Sequence, residues 1–180
     1  MDGGAAGGAT CGRAYRTRVR SSRPGARHAG ACRNPCACHH GAMSGPQLVD
    51  VPGLYPGVPY AYAATQPPGT RLVLTAGACP LDAQGRVVAP GDVAAQAKVV
   101  MDHLESALRA AGAGLGDVLK STVYVASSRR QDLVAAWEVV QARMGPHRAP
   151  STLLGVTVLG WPDQLVEVEA MAAVPHGQPG

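Results

Sequence analysis

Two carboxylates lie two residues apart in a predicted strand near the C-terminus, within Leu165–Ala170. Side chains two apart on a strand point the same way, so Glu167 and Glu169 share one face of it. Paired carboxylates can hold a polar substrate or a water molecule. They can also form an ordinary solvated strand face, and the strand on its own favours that interpretation.

Two further side chains, Cys79 and Ser151, are potential nucleophiles. A reactive cysteine needs a nearby base. No sequence pattern brings His103, His147 or His176 beside Cys79, so a buried, inert thiol is the preferred interpretation. Ser151 lacks the Gly-x-Ser-x-Gly context of a serine hydrolase, which argues against that class of enzyme.

The first part of the chain differs in composition from the rest. Residues 1–42 contain seven arginines and one acid, whereas residues 43–180 contain nine basic and eleven acidic residues. The slightly acidic remainder gives no reason to expect nucleic-acid binding. Because residues 1–44 are rich in Gly, Ala, Arg and Ser without hydrophobic periodicity, we predict a disordered tail. Met43 begins a segment typical of a protein start, so an upstream start site is a hypothesis for residues 1–42.

Most cysteines lie in this tail, in a Cys32-x3-Cys36-x-Cys38-His39-His40 cluster and at Cys11. Thiolates and imidazoles bind zinc, but the spacing is irregular and no second ligand pair follows, so metal binding is a minor alternative. Binding of nucleic acid or a membrane by the arginines of the tail is another minor alternative. A lone cysteine in residues 45–175 suits a reducing compartment. No apolar run approaches the roughly 18–20 residues that span a membrane, and no signal peptide follows Met1, so we expect a cytoplasmic protein.

Residues 45–175 alternate predicted strands and amphipathic helices, and residues 176–180 form a short C-terminal tail. We predict strands over 60–65, 71–76 and 86–88, a helix over 93–111, a strand over 118–125 and a helix over 129–144. Two final strands follow, joined by a Gly160-Trp161-Pro162-Asp163 turn. Helices with one-sided apolar stripes would cover one face of a single mixed sheet. The other face would need a partner, which oligomerisation supplies.

Several segments over about 55–175 match one family. Thr75–Asp82 matches its Ser-Gly-Gln-Ile-Pro-Leu-Asp segment, Pro59–Ala63 matches its Pro-Tyr-Ser-Gln-Ala entry, and Leu165–Ala172 matches its Leu-x-Glu-Ile-Glu-Ala-Ile-Ala ending. In these segments the chain resembles the RidA/YjgF family. The resemblance implies an α+β, chorismate-mutase-like fold and a homotrimer with clefts between the subunits.

The resemblance also implies a chemistry. Active family members hydrolyse enamines and imines released by pyridoxal-phosphate enzymes to a keto acid and ammonia, and they need no cofactor or metal. On this chain Glu167 and Tyr60 would be the catalytic residues, with Gly77 and Ala78 in the substrate site. Glu169 would be structural, and a small molecule would bind in each cleft.

The family's carboxylate-binding arginine is the main departure. Ser151 occupies that position, and Leu153 stands where many members have cysteine. Replacing two charge-assisted hydrogen bonds with one neutral bond should cost about 2–5 kcal/mol in binding a carboxylate. Arg148, three residues upstream, is a candidate replacement. The sequence therefore predicts a deaminase with an altered substrate or activity or, alternatively, a non-catalytic ligand-binding or regulatory trimer.

Overall fold

A computed structural model describes residues 45–176 of the chain. The predicted N-terminal tail, its zinc hypothesis and the last residues of the C-terminal tail lie outside these residues. The elements in chain order are β1 (Gln47–Val49), β2 (Ala63–Thr65), β3 (Thr70–Leu74), α1 (Val93–Ala110), β4 (Val118–Val125), α2 (Arg130–Met144), β5 (Ser151–Gly155) and β6 (Val166–Pro175).

The main sheet has four strands in the order β3-β6-β4-β5. Strand β6 runs antiparallel to both of its neighbours, and β5 runs parallel to β4. Strands β1 and β2 form a separate antiparallel pair. Because β4 and β5 are parallel, their connection must cross over one face of the sheet, and α2 makes that connection. The predicted mixed sheet with two helices is confirmed.

Both helices pack on the same face of the sheet. Asp92 caps α1, since its Oδ1 accepts a hydrogen bond from the Ala95 amide at 2.9 Å. The core between helices and sheet is aliphatic. It contains Val100, Leu104 and Leu108 from α1, Ala136 and Val140 from α2, and Val123, Val125, Val166 and Val168 from the sheet. Burial of these side chains is what fixes the two helices on the sheet.

Along each strand, side chains point alternately to the helix-covered face and to the opposite face of the sheet, which we call the open face. It presents exposed apolar side chains, of which Leu74 is 65% and Met171 43% exposed. Polar side chains occupy its centre: Lys120, Thr122 and Tyr124 on β4, and Glu167 and Glu169 on β6. A sheet face of this mixed character is suited to contact with another protein surface.

The structure corrects one predicted strand and adds two details of the sheet. The predicted strand 86–88 is only an isolated bridge between Leu81 and Val87, and the additional strand is β1. The final two strands are not neighbours, because β4 lies between β5 and β6. A bulge between Val118 and Lys120 makes Val118 the buried residue at the start of β4.

Neither helix within residues 45–176 is long and apolar enough to cross a membrane.

Candidate functional site

The side chain of Glu167 lies against the backbone of Gly77. Strand β6 holds Glu167 on the open face, opposite Tyr124 of β4. The segment containing Gly77 runs beside β6, because the Ala78 amide donates to the Val168 carbonyl at 2.8 Å. A Cβ built on Gly77 would lie 2.6 Å from Glu167 Cδ and closer still to Oε1. The absence of a side chain at Gly77 is therefore what makes room for the carboxylate.

The buried amide of Gln164 fixes one oxygen of this carboxylate. Gln164 is 3% exposed, and its Nε2 donates to Glu167 Oε2 at 3.0 Å. Its Oε1 accepts from the Trp161 amide at 3.1 Å, so the same side chain also closes the turn before β6. We refer to Gly77, Cys79, Gln164 and Glu167 as the Glu167 site.

A second buried glutamine anchors that turn to α1. Gln96 is fully buried, and its Oε1 accepts from the Leu165 amide at 2.7 Å while its Nε2 donates to the Asp163 carbonyl at 2.9 Å. Asp163 has a φ of 62°, a left-handed conformation that non-glycine residues seldom adopt. The hydrogen bonds of Gln96 on either side of Gln164 hold this conformation in place.

Cys79 completes the Glu167 site. Its Sγ lies 3.7 Å from Glu167 Oε2. Burial raises the pKa of the thiol, and the neighbouring Glu167 carboxylate raises the pKa further. Sequence reasoning found no histidine near Cys79, whereas His103 Nδ1 lies 2.8 Å from its backbone carbonyl. Because that contact is to the backbone and the thiol stays protonated, these contacts favour the inert thiol over a nucleophile.

Glu169 has a different environment from Glu167. Tyr124 donates its hydroxyl proton to Glu169 Oε1 at 2.9 Å, and this hydrogen bond is the first cause of a raised Tyr124 pKa. Lys120 donates to the hydroxyl of Thr152 nearby, and partial burial lowers the pKa of this lysine. The two carboxylates share a face of the strand, as predicted, but their hydrogen-bond partners differ.

The other residues that the sequence predicts for the site lie at the other edge of the sheet, around β5. Ser151 Oγ lies 2.5 Å from Ser121 Oγ on the helix-covered side of the sheet. A recess of about 480 Å³ beside it is lined by Pro59, Tyr60, Trp137, Ser151, Thr152 and Leu153. The rings of Tyr60 and Trp137 meet edge to face with centroids 6.2 Å apart. We call this recess the Ser151 pocket; its walls combine apolar and aromatic side chains with the hydroxyl-bearing Tyr60, Ser151 and Thr152.

Arg148, the candidate replacement for the family arginine, lies near this pocket but has partners of its own. Its guanidinium forms an ion pair with Asp50 at 2.9 Å and donates to the Tyr60 carbonyl at 3.4 Å. The Ala61 amide donates to the Arg148 carbonyl at 2.8 Å. The side chain thus ties the segment before β2 to the segment before β5. To bind a substrate it would have to give up its bond to Asp50.

The Glu167 site and the Ser151 pocket do not meet within one chain. The strand register aligns Ser151, Ser121 and Ala170 across β5, β4 and β6. Two strand spacings separate Ser151 from β6, which is about 10 Å. Ser151 also faces the helices, whereas Glu167 is on the open face. A ligand touching both groups would therefore need the Ser151 pocket of a second copy.

Sequence reasoning missed Gln164 as a partner of Glu167 and Trp137 as a wall of the Ser151 pocket. The available signal for Gln164 was weak: a glutamine between a Pro-Asp turn and an apolar strand. Among residues 45–176 no cluster of three or more His, Cys, Asp or Glu side chains could hold a metal ion.

Comparison with known proteins gives matches over nearly all of the residues described. The model of a family described as endoribonuclease L-PSP matches residues 54–174. A RutC family protein of Pyrococcus abyssi is 32% identical over 102 residues, 57% of this chain and 78% of that protein. A 2-iminobutanoate/2-iminopropanoate deaminase of Escherichia coli K12 is 38% identical over 55 residues, 31% of this chain and 42% of the enzyme.

A solved structure is similar as well. It is a protein of unknown function of the conserved Rid family from Yersinia pestis, 29% identical, with a TM-score of 0.65. The alignment covers 72% of this chain and 98% of that chain. The similarity therefore extends to the whole of the sheet-and-helix unit.

Proposed function

The chain belongs to the endoribonuclease L-PSP family, the RidA/YjgF proteins, and from this premise we propose that it hydrolyses a reactive imine or enamine. The relative named as an imine deaminase supports this class of reaction. The observation on which the proposal rests is the Glu167 carboxylate, held against Gly77 with one oxygen bonded to Gln164. A carboxylate held in one position can accept a proton from a water molecule that attacks a planar C=N group.

The reaction is an addition followed by an elimination. Water adds to the carbon of C=NH, and Glu167 accepts a proton from that water as the C–O bond forms. That proton is passed to the nitrogen, which gives a carbinolamine. Transfer of the hydroxyl proton to the nitrogen, again through Glu167, then accompanies cleavage of the C–N bond, and a carbonyl compound and ammonia leave. No electrons are exchanged with a carrier, so this chemistry requires no redox cofactor. In this scheme Tyr60 orients the substrate and the Gly77–Ala78 backbone borders it.

We place this chemistry in clefts between copies of the chain in a homotrimer. The separation of the Glu167 site from the Ser151 pocket supports a shared cleft, since one chain cannot bring the two together. The exposed apolar side chains of the open face, Leu72, Leu74, Leu154 and Met171, are consistent with burial by neighbouring copies. Each cleft would take Glu167 from one copy and Tyr60, Ser151 and Leu153 from the next.

The substrate that we propose lacks the carboxylate of an amino-acid-derived imine. Ser151 is neutral and its hydroxyl is already in contact with Ser121, while Arg148 is paired with Asp50. The Ser151 pocket is lined by aromatic, apolar and hydroxyl side chains, and none of these lining side chains is cationic. A neutral imine with an apolar substituent fits such walls better than a carboxylate, whose desolvation would go uncompensated.

A pair of coupled assays tests this proposal. An amine oxidase generates imines without a carboxylate, and an amino-acid oxidase generates imines that carry one. We expect the protein to accelerate decay of the neutral imines more than that of the carboxylated ones. We expect Glu167→Gln to lower the acceleration about 100-fold, to a residual level that can still be measured. Equal decay with and without protein in both assays would refute the enzymatic proposal. If the protein accelerates decay in neither assay but binds a neutral ligand saturably, the second candidate is favoured, a non-catalytic binding trimer. The pairing of the Arg148 guanidinium with Asp50 is compatible with that candidate as well.

A further inference from the structure

The two oxygens of the Glu167 carboxylate are not equivalent. Oε2 accepts a hydrogen bond from Gln164 Nε2 at 3.0 Å and lies 3.7 Å from Cys79 Sγ. None of the hydrogen bonds among residues 45–176 uses Oε1. No buried side-chain oxygen or nitrogen in that part of the chain lacks a partner, so Oε1 has access to solvent. One oxygen is thus bound to the protein and the other is available above Gly77.

The donor that creates this asymmetry is itself rigid. Gln164 is 3% exposed and makes three further contacts besides the one to Glu167. Its Nε2 also donates to the Val166 carbonyl at 3.3 Å, its Oε1 accepts from the Trp161 amide at 3.1 Å, and its own amide donates to the Trp161 carbonyl at 3.2 Å. Gln96, fully buried, binds the backbone on both sides of it. The amide cannot rotate without breaking the turn.

We propose that Gln164 is the positioning residue of the Glu167 site: its amide binds Oε2 and thereby leaves Oε1 as the oxygen that receives the proton from water. This proposal rests on the proposed function for its kinetic consequence, but the orientation of the carboxylate can be tested without it. A hydrogen bond to a charged group restricts the carboxylate to one rotamer, and general-base catalysis depends on such placement.

The first variant, Gln164→Leu, removes the donor and the acceptor while keeping an apolar group of similar size. We expect kcat for imine hydrolysis to fall about 10- to 100-fold with KM within about twofold, because substrate binding does not involve Gln164. Gln131→Leu is the matched control: Gln131 is exposed on α2, and the same substitution there should leave both constants unchanged.

A double-variant cycle separates positioning from general destabilisation. If Gln164 acts through Glu167, then Gln164→Leu should have no further effect in a Glu167→Gln background. Additive losses, or an unchanged kcat in Gln164→Leu, would overturn the proposal.

The second variant, Gln164→Glu, guards against a failure of the leucine variant to fold. It retains the acceptor for the Trp161 amide but places two carboxyl groups about 3 Å apart, so that they share one proton over a wide pH range. With that proton the introduced carboxyl can still donate to Glu167. We expect activity near that of the wild type at acidic pH and a loss as the pH rises, steeper than in the wild type. A pH profile identical to the wild type would contradict the proposal.

Crystal structures of the Gln164→Leu and Gln164→Glu variants provide the readout that is independent of activity. We expect the Glu167 carboxylate to leave its position over Gly77 in the leucine variant. If the wild type hydrolyses no imine, the proposed function fails, but the structure of the Gln164→Leu variant still tests the positioning role of Gln164. A Glu167 carboxylate that stays over Gly77 in this variant overturns that role, and a displaced carboxylate upholds it.

Discussion

The carboxylate of Glu167 occupies the space that a side chain at Gly77 would fill, with Cδ 2.6 Å from the position of a Cβ there. This relationship joins a loop residue to a strand residue 90 positions away in sequence, and it explains why glycine is required at residue 77 without any unusual backbone angle. It also implies that changes at Gly77 act on the carboxylate rather than on the fold.

Gly77→Ala should therefore separate stability from activity. The obstructing atoms belong to the end of the Glu167 side chain, which can rotate away if it gives up the hydrogen bond from Gln164, at a cost of about 1.5–3 kcal/mol. We expect a protein that still folds, with a melting temperature lowered by about 5–10 °C, and a loss of imine hydrolysis of tenfold or more at a temperature well below melting. Gly116→Ala is the control, because a Cβ at Gly116 meets no atom within 4 Å and should change neither quantity. Full activity in Gly77→Ala would show that the position of Glu167 is unimportant.

The thiol of Cys79 reports the charge of Glu167. Burial is the larger cause of its raised pKa and the carboxylate is the next. In Glu167→Gln the second cause disappears, so the thiol should ionise at a lower pH and react faster with iodoacetamide near neutrality. Alkylation can be followed by mass spectrometry of the peptide containing Cys79. Glu169→Gln, which leaves Glu167 in place, should not change the rate; an effect as large as that of Glu167→Gln would argue against the pairing.

The sign of the linked stability follows from the same shift. The folded-state pKa of Cys79 lies above that of a free thiol, so the folded protein binds this proton more tightly than the unfolded chain. The contribution to stability is present below about pH 8.5 and is lost as the pH rises through the folded-state pKa.

Tyr124 should titrate later than an ordinary tyrosine. Its hydrogen bond to Glu169 stabilises the protonated phenol and raises its pKa. We expect an ultraviolet difference titration between the wild type and Tyr124→Phe to show one phenol ionising above the usual value of about 10. In Glu169→Gln the midpoint should move back down, whereas Glu167→Gln should have a smaller effect. An unchanged midpoint in Glu169→Gln would exclude this hydrogen bond as the cause.

Ser151→Arg tests the expectation that Ser151 stands where the family carries its carboxylate-binding arginine. A guanidinium beside the Ser151 pocket would offer a carboxylate two charge-assisted bonds, and we expect turnover of amino-acid-derived imines to rise about tenfold or more. Ser151→Met is the matched control, since it disrupts the contact with Ser121 in the same way but adds no charge. A similar gain in both variants would mean that shape, not charge, limits these substrates.

Much of the fold could be predicted because its central elements have strong local patterns. Residues 118–125 alternate apolar and polar side chains, and the predicted strand matches β4 in both of its bounds. Asp92 and the apolar stripe through Val100, Leu104 and Leu108 likewise define α1. In these segments local propensity and tertiary burial favour the same structure.

The errors arise where pairing and packing with other segments, rather than the local sequence, determine the structure. Val87 has only one bridging partner, Leu81, so a locally plausible strand does not form there. The Gly160–Asp163 turn is compatible with a hairpin, yet β5 pairs in parallel with β4, a pairing that no turn signal between β5 and β6 reveals. Gln164 was missed for the same reason, because its burial depends on Gln96, which lies 68 residues earlier.

The proposed shared cleft can be tested by mixing two inactive variants. Glu167→Gln impairs the Glu167 site and Tyr60→Phe impairs the Ser151 pocket, and each variant alone should have less than about a tenth of wild-type activity. If each cleft combines the two groups from neighbouring copies, trimers formed from an equal mixture would have both groups intact in about a quarter of their clefts. We therefore expect co-expressed or co-refolded mixtures to regain about a quarter of wild-type activity, measured against separately folded and then combined samples as the control. Activity that stays at the average of the two variants would place both groups of one cleft in the same chain and refute the shared cleft.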